Sequence, residues 1–293
     1  MTVEEVVARV PAWRGAREVR VTPLEGGITN ENHRVEVDGR LFVVRLGGRD
    51  TALLGIDRPR ECAAAEVAAR LGVGPEVVWA LPEDAVLVTR FVPGRTLTAE
   101  DVRRPEVLAR VVAALQRVHA GPPIPGTFSA FRTVAAYREV AAARGVVLPA
   151  ALDEWFALAR RIEAARGPAP AVPCHNDLLA ANFIDDGERV WILDWEYAAM
   201  GDPCFDLGNL AANGEFGPAE ERALLERYAG RATDEALARL RLMRLASDLR
   251  EAMWGLVQAG ISRLEIDFAG YAARHFARFA TRAAAPEVSG RLP

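Results

Sequence analysis

The chain contains no lysine: all 36 of its basic side chains are arginine, set against 40 acids in 293 residues. That absence excludes Schiff-base and PLP-anchoring chemistry, a lysine general base, and a Walker A loop, whose G-K-[ST] requires one. It also poses a question for phosphate chemistry, because lysine is the usual point charge on a nucleotide and arginine's planar fork is not an equivalent. Richness in Ala, Arg, Gly, Pro and Val makes the bias compositional at most positions. Cysteine is scarce too: Cys62, Cys174 and Cys204 are odd in number and show no C-x-x-C spacing, which reads as reduced thiols of a cytoplasmic protein. There is no basic surplus, since the net charge is −4 and no long arginine run occurs, and this argues against a nucleic-acid partner. No apolar run approaches the roughly 18 residues of a membrane span, and Met1-Thr2-Val3-Glu4-Glu5 is acidic where a signal peptide needs cations. The expectation is a cytoplasmic protein with no membrane insertion, monomeric or homodimeric.

At 51% hydrophobic and 26% charged residues the composition is that of a globular chain, long enough for two units with their own cores. The first ninety residues alternate strand-like runs with turns. Glu18 to Leu24, Arg34 to Val37 and Arg40 to Leu46 predict strands, the last two joined by an Asp38-Gly39 hairpin turn. A helix is expected from Pro59 or Arg60 to Leu71, then strands near Val77 to Ala80 and Ala85 to Phe91. After Pro93-Gly94 helical periodicity takes over, with Val107, Leu108, Val111, Val112, Leu115 and Val118 on one face and further amphipathic stretches at 149–166, 218–229, 234–260 and 264–283. The fold class is therefore α+β. Residues 1–92 form a small antiparallel-sheet lobe with one helix, and 93–293 a larger, mainly helical lobe. One segment interrupts the helices: Cys174-His175-Asn176-Asp177, then Asn182-Phe183-Ile184, an Asp185-Asp186-Gly187 turn, and a strand Arg189 to Leu193 that ends in Asp194-Trp195-Glu196.

Asp177, Asn182 and Asp194 carry the chemistry. An Asn five residues after an Asp, with a second Asp closing a strand twelve residues on, is the protein-kinase arrangement of catalytic Asp, metal-binding Asn and metal-binding Asp. Singly, each reads better as a cap or turn residue than as a functional one; together they point to phosphoryl transfer. Asp177 takes the acceptor hydroxyl's proton, and Asn182 and Asp194 hold Mg²⁺ on the phosphates of ATP. His175 is expected to brace the loop through backbone hydrogen bonds. In the small lobe, the glycine turn Gly26-Gly27-Ile28-Thr29-Asn30 offers backbone N–H groups and polar side chains to phosphate, although a plain hairpin turn reads the same. Arg45 stands where a kinase strand carries lysine, with Glu61 as its ion-pair partner. Arg90 and Val92 flank the hinge strand, whose backbone faces the adenine.

These segments resemble the aminoglycoside phosphotransferase and choline kinase superfamily, of protein-kinase-like fold, and more narrowly the choline/ethanolamine kinases. The residues similar to the family are Gly26 to Asn32, Val44-Arg45-Leu46, Thr51 to Glu61, His175 to Asn182, Asp194 to Tyr197, Gly201 to Asn209, and Met253 to Ser262 with Asp267-Phe268 and Tyr271. The resemblance implies an ATP- and Mg²⁺-dependent transfer of the γ-phosphoryl group to the hydroxyl of a small cationic alcohol. A quaternary ammonium donates no hydrogen bond, so aromatic faces and carboxylates recognise it. Tyr197, Trp254 and Tyr271 supply the faces, unless the last two are simple helix packing. Glu196, Glu251, Asp248 and Glu215 are the candidate charges. Two departures stand out: Glu251 where many choline kinases carry a tryptophan, and Leu179 where they carry a glutamine. The alternatives are an aminoglycoside, thiamine or other metabolite kinase, or a nucleotide-binding regulator without catalysis. A protein kinase is disfavoured, because Asp194-Trp195-Glu196 replaces D-F-G and no A-P-E follows.

Overall fold

The computed structural model describes residues 1–24 and 27–289; Gly26 of the expected glycine turn lies outside them. Its first half is built on an antiparallel sheet of order β1-β2-β3-β5-β4, from β1 (Val19–Leu24), β2 (Asn30–Val37), β3 (Arg40–Gly47), β4 (Val77–Leu81) and β5 (Val86–Arg90). Asp38 and Gly39 both adopt positive φ, the two-residue turn whose twist suits a hairpin. Period-two alternation sends Val35, Val37, Phe42, Val44 and Leu46 to one face, where they pack with Val3, Val6, Val10 and Trp13. Val43 and Arg45 are thereby left on the opposite face. Helix α1 (Val3–Arg9), closed by a Thr2 capping box, covers the sheet's core face, and α2 (Arg58–Arg70), capped by Asp57, carries Glu61.

Helix α1 is an addition to the one helix expected here. Strand β2 starts four residues before the predicted Arg34, because the polar run Asn30 to His33 pairs with Val44 to Gly47 of β3. No apolar alternation marks that run.

The helical half contains β6 (Arg95–Thr96), α3 (Ala99–Arg103), α4 (Pro105–His119), α5 (Ala130–Ala143), α6 (Leu152–Arg166), β7 (Val172–Cys174), β8 (Phe183–Asp185), β9 (Val190–Ile192), β10 (Ala199–Gly201), α7 (Pro203–Asn213), α8 (Pro218–Ala229), α9 (Asp234–Ile261) and α10 (Phe268–Ala283). All six apolar positions predicted on α4 are buried. Helix α9, 28 residues long, is the axis against which α5, α7 and α10 pack. Neither α5 nor α7 is announced by periodicity. The first has six alanines among its fourteen residues and few large apolar ones, and the second is buried along almost its whole length and so has no polar face to set a period. The carboxylate-bearing hairpin is β8 and β9, with β6 added on the β8 side.

Candidate active site

A cleft of about 750 Å³ runs between the sheet and the helices. Asp177, Asn182, Asp194, Gly27, Thr29, Asn30, Arg45, Arg90, Val92, Glu196, Tyr197, Glu251, Trp254 and Tyr271 line it, whereas Glu61 lies behind Arg45 and pairs with it. His175, Asn176 and Asp177 follow β7; the first two are fully buried, the backbone at Asn176 is left-handed, φ 67°, and Asp177 lines the cleft. Asp194 also adopts positive φ, 61°, at the end of the segment after β9. Asparagine and aspartate bear this conformation better than other residues with a side chain.

Helix α7 holds residues 175–178 from beneath. Asp206 is fully buried and accepts the N–H groups of His175 at 2.8 Å and Asn176 at 2.7 Å, and His119 Nε2 donates to it at 3.0 Å. His119 Nδ1 in turn accepts from Tyr228 at 2.7 Å. One turn on, Asn209 accepts the Leu178 N–H at 2.5 Å and donates to Ser247 at 2.9 Å. His175 donates from Nε2 to the Leu193 carbonyl, and its Nδ1 accepts the Asp177 N–H. Both ring nitrogens are therefore committed to backbone, and burial holds the imidazole below its usual range and neutral. Asp206 and Asn209 thus fix the backbone of residues 175–178, and nothing in the sequence beyond their i, i+3 spacing gives them these partners.

Asp177 is buried and accepts Arg250 Nη1 at 2.9 Å. Burial pushes its carboxyl up to about 7, with the Arg250 charge pulling the other way. Arg250 Nη1 also donates to Glu251 at 2.5 Å, and the guanidinium lies 4.3 Å from the Tyr197 ring centre. Burial works against the Glu251 charge, but Arg250 and the Tyr271 hydroxyl, donating at 2.7 Å, hold its carboxyl below the usual range. The Trp254 indole N–H donates to the Tyr197 hydroxyl at 3.2 Å, and the Trp254 and Tyr271 rings meet edge-on at 5.6 Å. These aromatics are both packed against their neighbours and part of the cleft wall.

On the other wall, Arg45 pairs through Nη1 with Asp194 and through Nη2 with Glu61. Asn182 donates to the Asp177 carbonyl at 2.9 Å, and its own side-chain oxygen has no partner among the described residues. Glu196 accepts Thr29 Oγ1 at 3.0 Å and Asn30 Nδ2 at 2.9 Å. Its burial, and then the nearby Asp194 charge, push its carboxyl up to about 7. The carboxylate of Glu196 thus faces the small lobe, while its neighbour Tyr197 faces the aromatic wall. Gly27 is needed for close approach, since a Cβ there would stand 2.0 Å from the Asn30 carbonyl oxygen. The Arg90 guanidinium lies 4.8 Å from the Phe42 ring centre. Two of the candidate charges are corrected: Asp248 is buried under Arg278 and Arg282 of α10, and Glu215 lies on an exposed turn near Arg103. Neither lines the cleft. Asp248 meets the C-terminal part of α10, at Arg278 and Arg282, whereas Trp254 meets its first turn at Phe268 and Tyr271; Glu215 follows the end of α7.

A profile of the phosphotransferase enzyme family matches residues 20–243. The chain is similar to a choline/ethanolamine kinase family protein from Mesorhizobium loti whose crystal structure superposes with a TM-score of 0.85 at 33% identity, covering 99% of this chain and 98% of that one. It is 28% identical to ethanolamine kinase 2 of Mus musculus over 92% of this chain and 77% of the relative. It is also 27% identical to protein LicA of Haemophilus influenzae, over 69% of this chain and 61% of that protein's length. The choline kinase LicA of Streptococcus pneumoniae, at 21% identity and a TM-score of 0.79, shares the fold. A match over this much of the chain, with a 33% identical relative aligned from end to end, places it: the chain belongs to the phosphotransferase enzyme family and, within it, to the choline/ethanolamine kinases.

Proposed function

We propose that the chain is an ATP- and Mg²⁺-dependent kinase that transfers the γ-phosphoryl group to the hydroxyl of a small cationic alcohol, choline or ethanolamine. One observation carries this reading. A single cleft places Asp177 between a wall of oxygen donors and arginine, formed by Asn182, Asp194 and Arg45, and a wall of aromatic faces with a carboxylate, formed by Tyr197, Trp254, Tyr271 and Glu251. The first suits nucleotide phosphates and the second an ammonium group, for which each aromatic face is worth about 0.5–2 kcal/mol.

The donor set fits a hard cation. Asn182 places one of its two amide N–H groups on backbone and has an amide oxygen to offer a cation, and the Asp194 carboxylate is 29% exposed, both lining the same cleft. Mg²⁺ held by this pair supplies charge neutralisation at the phosphate oxygens. The protein's own part is positional. Arg250 engages Oδ1 of Asp177, which leaves Oδ2 to accept the acceptor's hydroxyl proton as its oxygen bonds to the γ-phosphorus and the bond to the ADP oxygen breaks. Gly27, Thr29, Asn30, Arg45, Glu61, Arg90 and Val92 form the nucleotide side of this reading. The lobe junction at 92/93 falls where Val92 and Gly94 line the cleft.

An aminoglycoside acceptor calls for acids spread over the helical lobe. Asp248, buried under Arg278 and Arg282, and Glu215, on an exposed turn, both lie off the cleft, which favours the small amine instead. The test is ATP consumption with choline, ethanolamine, thiamine and several aminoglycosides. Turnover is expected with one or both amino alcohols, and its absence from both would sink the acceptor assignment.

A further inference from the structure

Arg58, in the first turn of α2, is as deeply placed as Arg45 and makes more bonds. Its side chain is 10% exposed. Nη2 donates to Asn30 Oδ1 at 3.0 Å and to Thr51 Oγ1 at 3.3 Å, and Nη1 donates to Glu61 Oε2 at 2.7 Å and to Glu196 Oε2 at 3.4 Å. Glu196 itself accepts from Thr29 and Asn30. The loop that begins β2 is therefore tied to the metal segment of the other lobe twice, directly through Glu196 and indirectly through Arg58. The guanidinium lies on bare backbone. A Cβ on Gly47 of β3 would stand 2.9 Å from its Cζ and Nη2, so the glycine is what lets the fork reach across the strand. Next to it, the Gly48 N–H donates to the Thr29 carbonyl at 2.8 Å, which fixes the same loop from the strand side.

We propose that Arg58 is a positioning residue for the nucleotide: it clamps loop 27–30 to α2 and to Glu196, so that the backbone facing the phosphates is formed before nucleotide arrives. This rests on the reading of that wall as the nucleotide side. Preorganisation of this kind raises affinity by removing the cost of ordering the loop on binding. The role needs a fork that reaches several acceptors at once, and an ammonium group in its place meets fewer of them.

The test uses the full chain with Arg58→Met and Arg58→Lys. Hydrogen exchange without nucleotide reads the amides of residues 27–32 and of Gly48, with Phe42 to Leu46 as the internal reference. Mg²⁺ with ADP is then titrated calorimetrically. Arg58→Met is expected to speed loop exchange and weaken ADP binding, each about tenfold, while the reference strand stays unchanged; Arg58→Lys falls between. Adding Glu196→Gln to Arg58→Met produces little further effect, because both act through one clamp. Wild-type loop exchange in Arg58→Met overturns the proposal, as does wild-type ADP affinity or full additivity with Glu196→Gln. If Arg58→Met does not fold, Arg58→Lys decides by the same exchange measurement. Failure of the wild-type protein to bind ADP would overturn the functional reading, whereas faster loop exchange in the variants would still support the clamp.

Discussion

Burial pushes the Asp177 carboxyl up to about 7, against the pull of Arg250. A base must be ionised to accept a proton, so the rate of phosphoryl transfer is expected to climb as pH rises through about 7 and to fall below it. The sign for stability is the opposite. The folded-state value lies above that of an exposed aspartate, so this group's contribution to stability is present at acidic pH and lost as pH rises through about 7. Rates measured between pH 5 and 9, with thermal melts over the same range, would display the two trends. Asp177→Asn is expected to slow single-turnover transfer by about 10²–10⁴-fold, and an undiminished rate would remove Asp177 from its role. The missing lysine becomes a question about one position. Arg45 meets Asp194 with one nitrogen and Glu61 with the other, a geometry that a single ammonium does not reproduce. Arg45→Lys should therefore lower kcat/KM for ATP by about tenfold, roughly 1.4 kcal/mol of lost transition-state stabilisation. An unchanged ratio would mean that any cation serves there.

Elements that carry their own periodicity were legible in the sequence, and those defined by their surroundings were not. Helix α4 and strands β3 and β5 follow from apolar spacing, and the H-x-D-x4-N segment with Asp194 follows from the chemistry those residue types share. Helix α7 has no exposed face to betray a period, yet it carries Asp206 and Asn209 on one side and Gly208 on another. The helix beneath residues 175–178 was therefore not legible from periodicity, and only the resemblance of Gly201 to Asn209 to the family marked it; the direction of Asp248 depends on where α10 lands and was not legible. A Cβ on Gly208 would stand 2.6 Å from Met243 Cβ, so α7 and α9 touch through that glycine. Gly208→Ala has to move α7, and with it the anchors of residues 175–178. The expected cost is about 1–3 kcal/mol, a fall in Tm of about 2–4 °C per kcal/mol, together with a lower kcat although no residue facing the cleft has changed. Calorimetric melts beside steady-state rates would check both, and a stable variant of full activity would mean that the helices part without cost.

At the scale of the whole molecule, the two halves meet through ion pairs as well as packing. Arg45 to Asp194 and Arg58 to Glu196 both join the sheet half to the helical half, and the Arg58, Glu61 and Glu196 side chains are nearly inaccessible to water. Pairs so enclosed respond weakly to added salt, because screening acts on charges that solvent reaches. A ligand held by both halves adds to this junction by mass action, about 2.7 kcal/mol at a hundredfold excess over Kd. Of the two groups proposed to hold the metal, Asp194 is already shared with Arg45 and the Asn182 oxygen has no partner among the described residues, so Mg²⁺ without nucleotide is expected to find an incomplete donor set. The expected order of melting temperatures is therefore free protein close to protein with Mg²⁺ alone, a higher value with ADP and Mg²⁺, and loss of most of that gain when EDTA removes the metal. Differential scanning calorimetry reads all four conditions on one sample. If ADP raises Tm equally with and without EDTA, Asn182 and Asp194 hold no metal that matters to nucleotide binding, and Arg45 carries the phosphates without it.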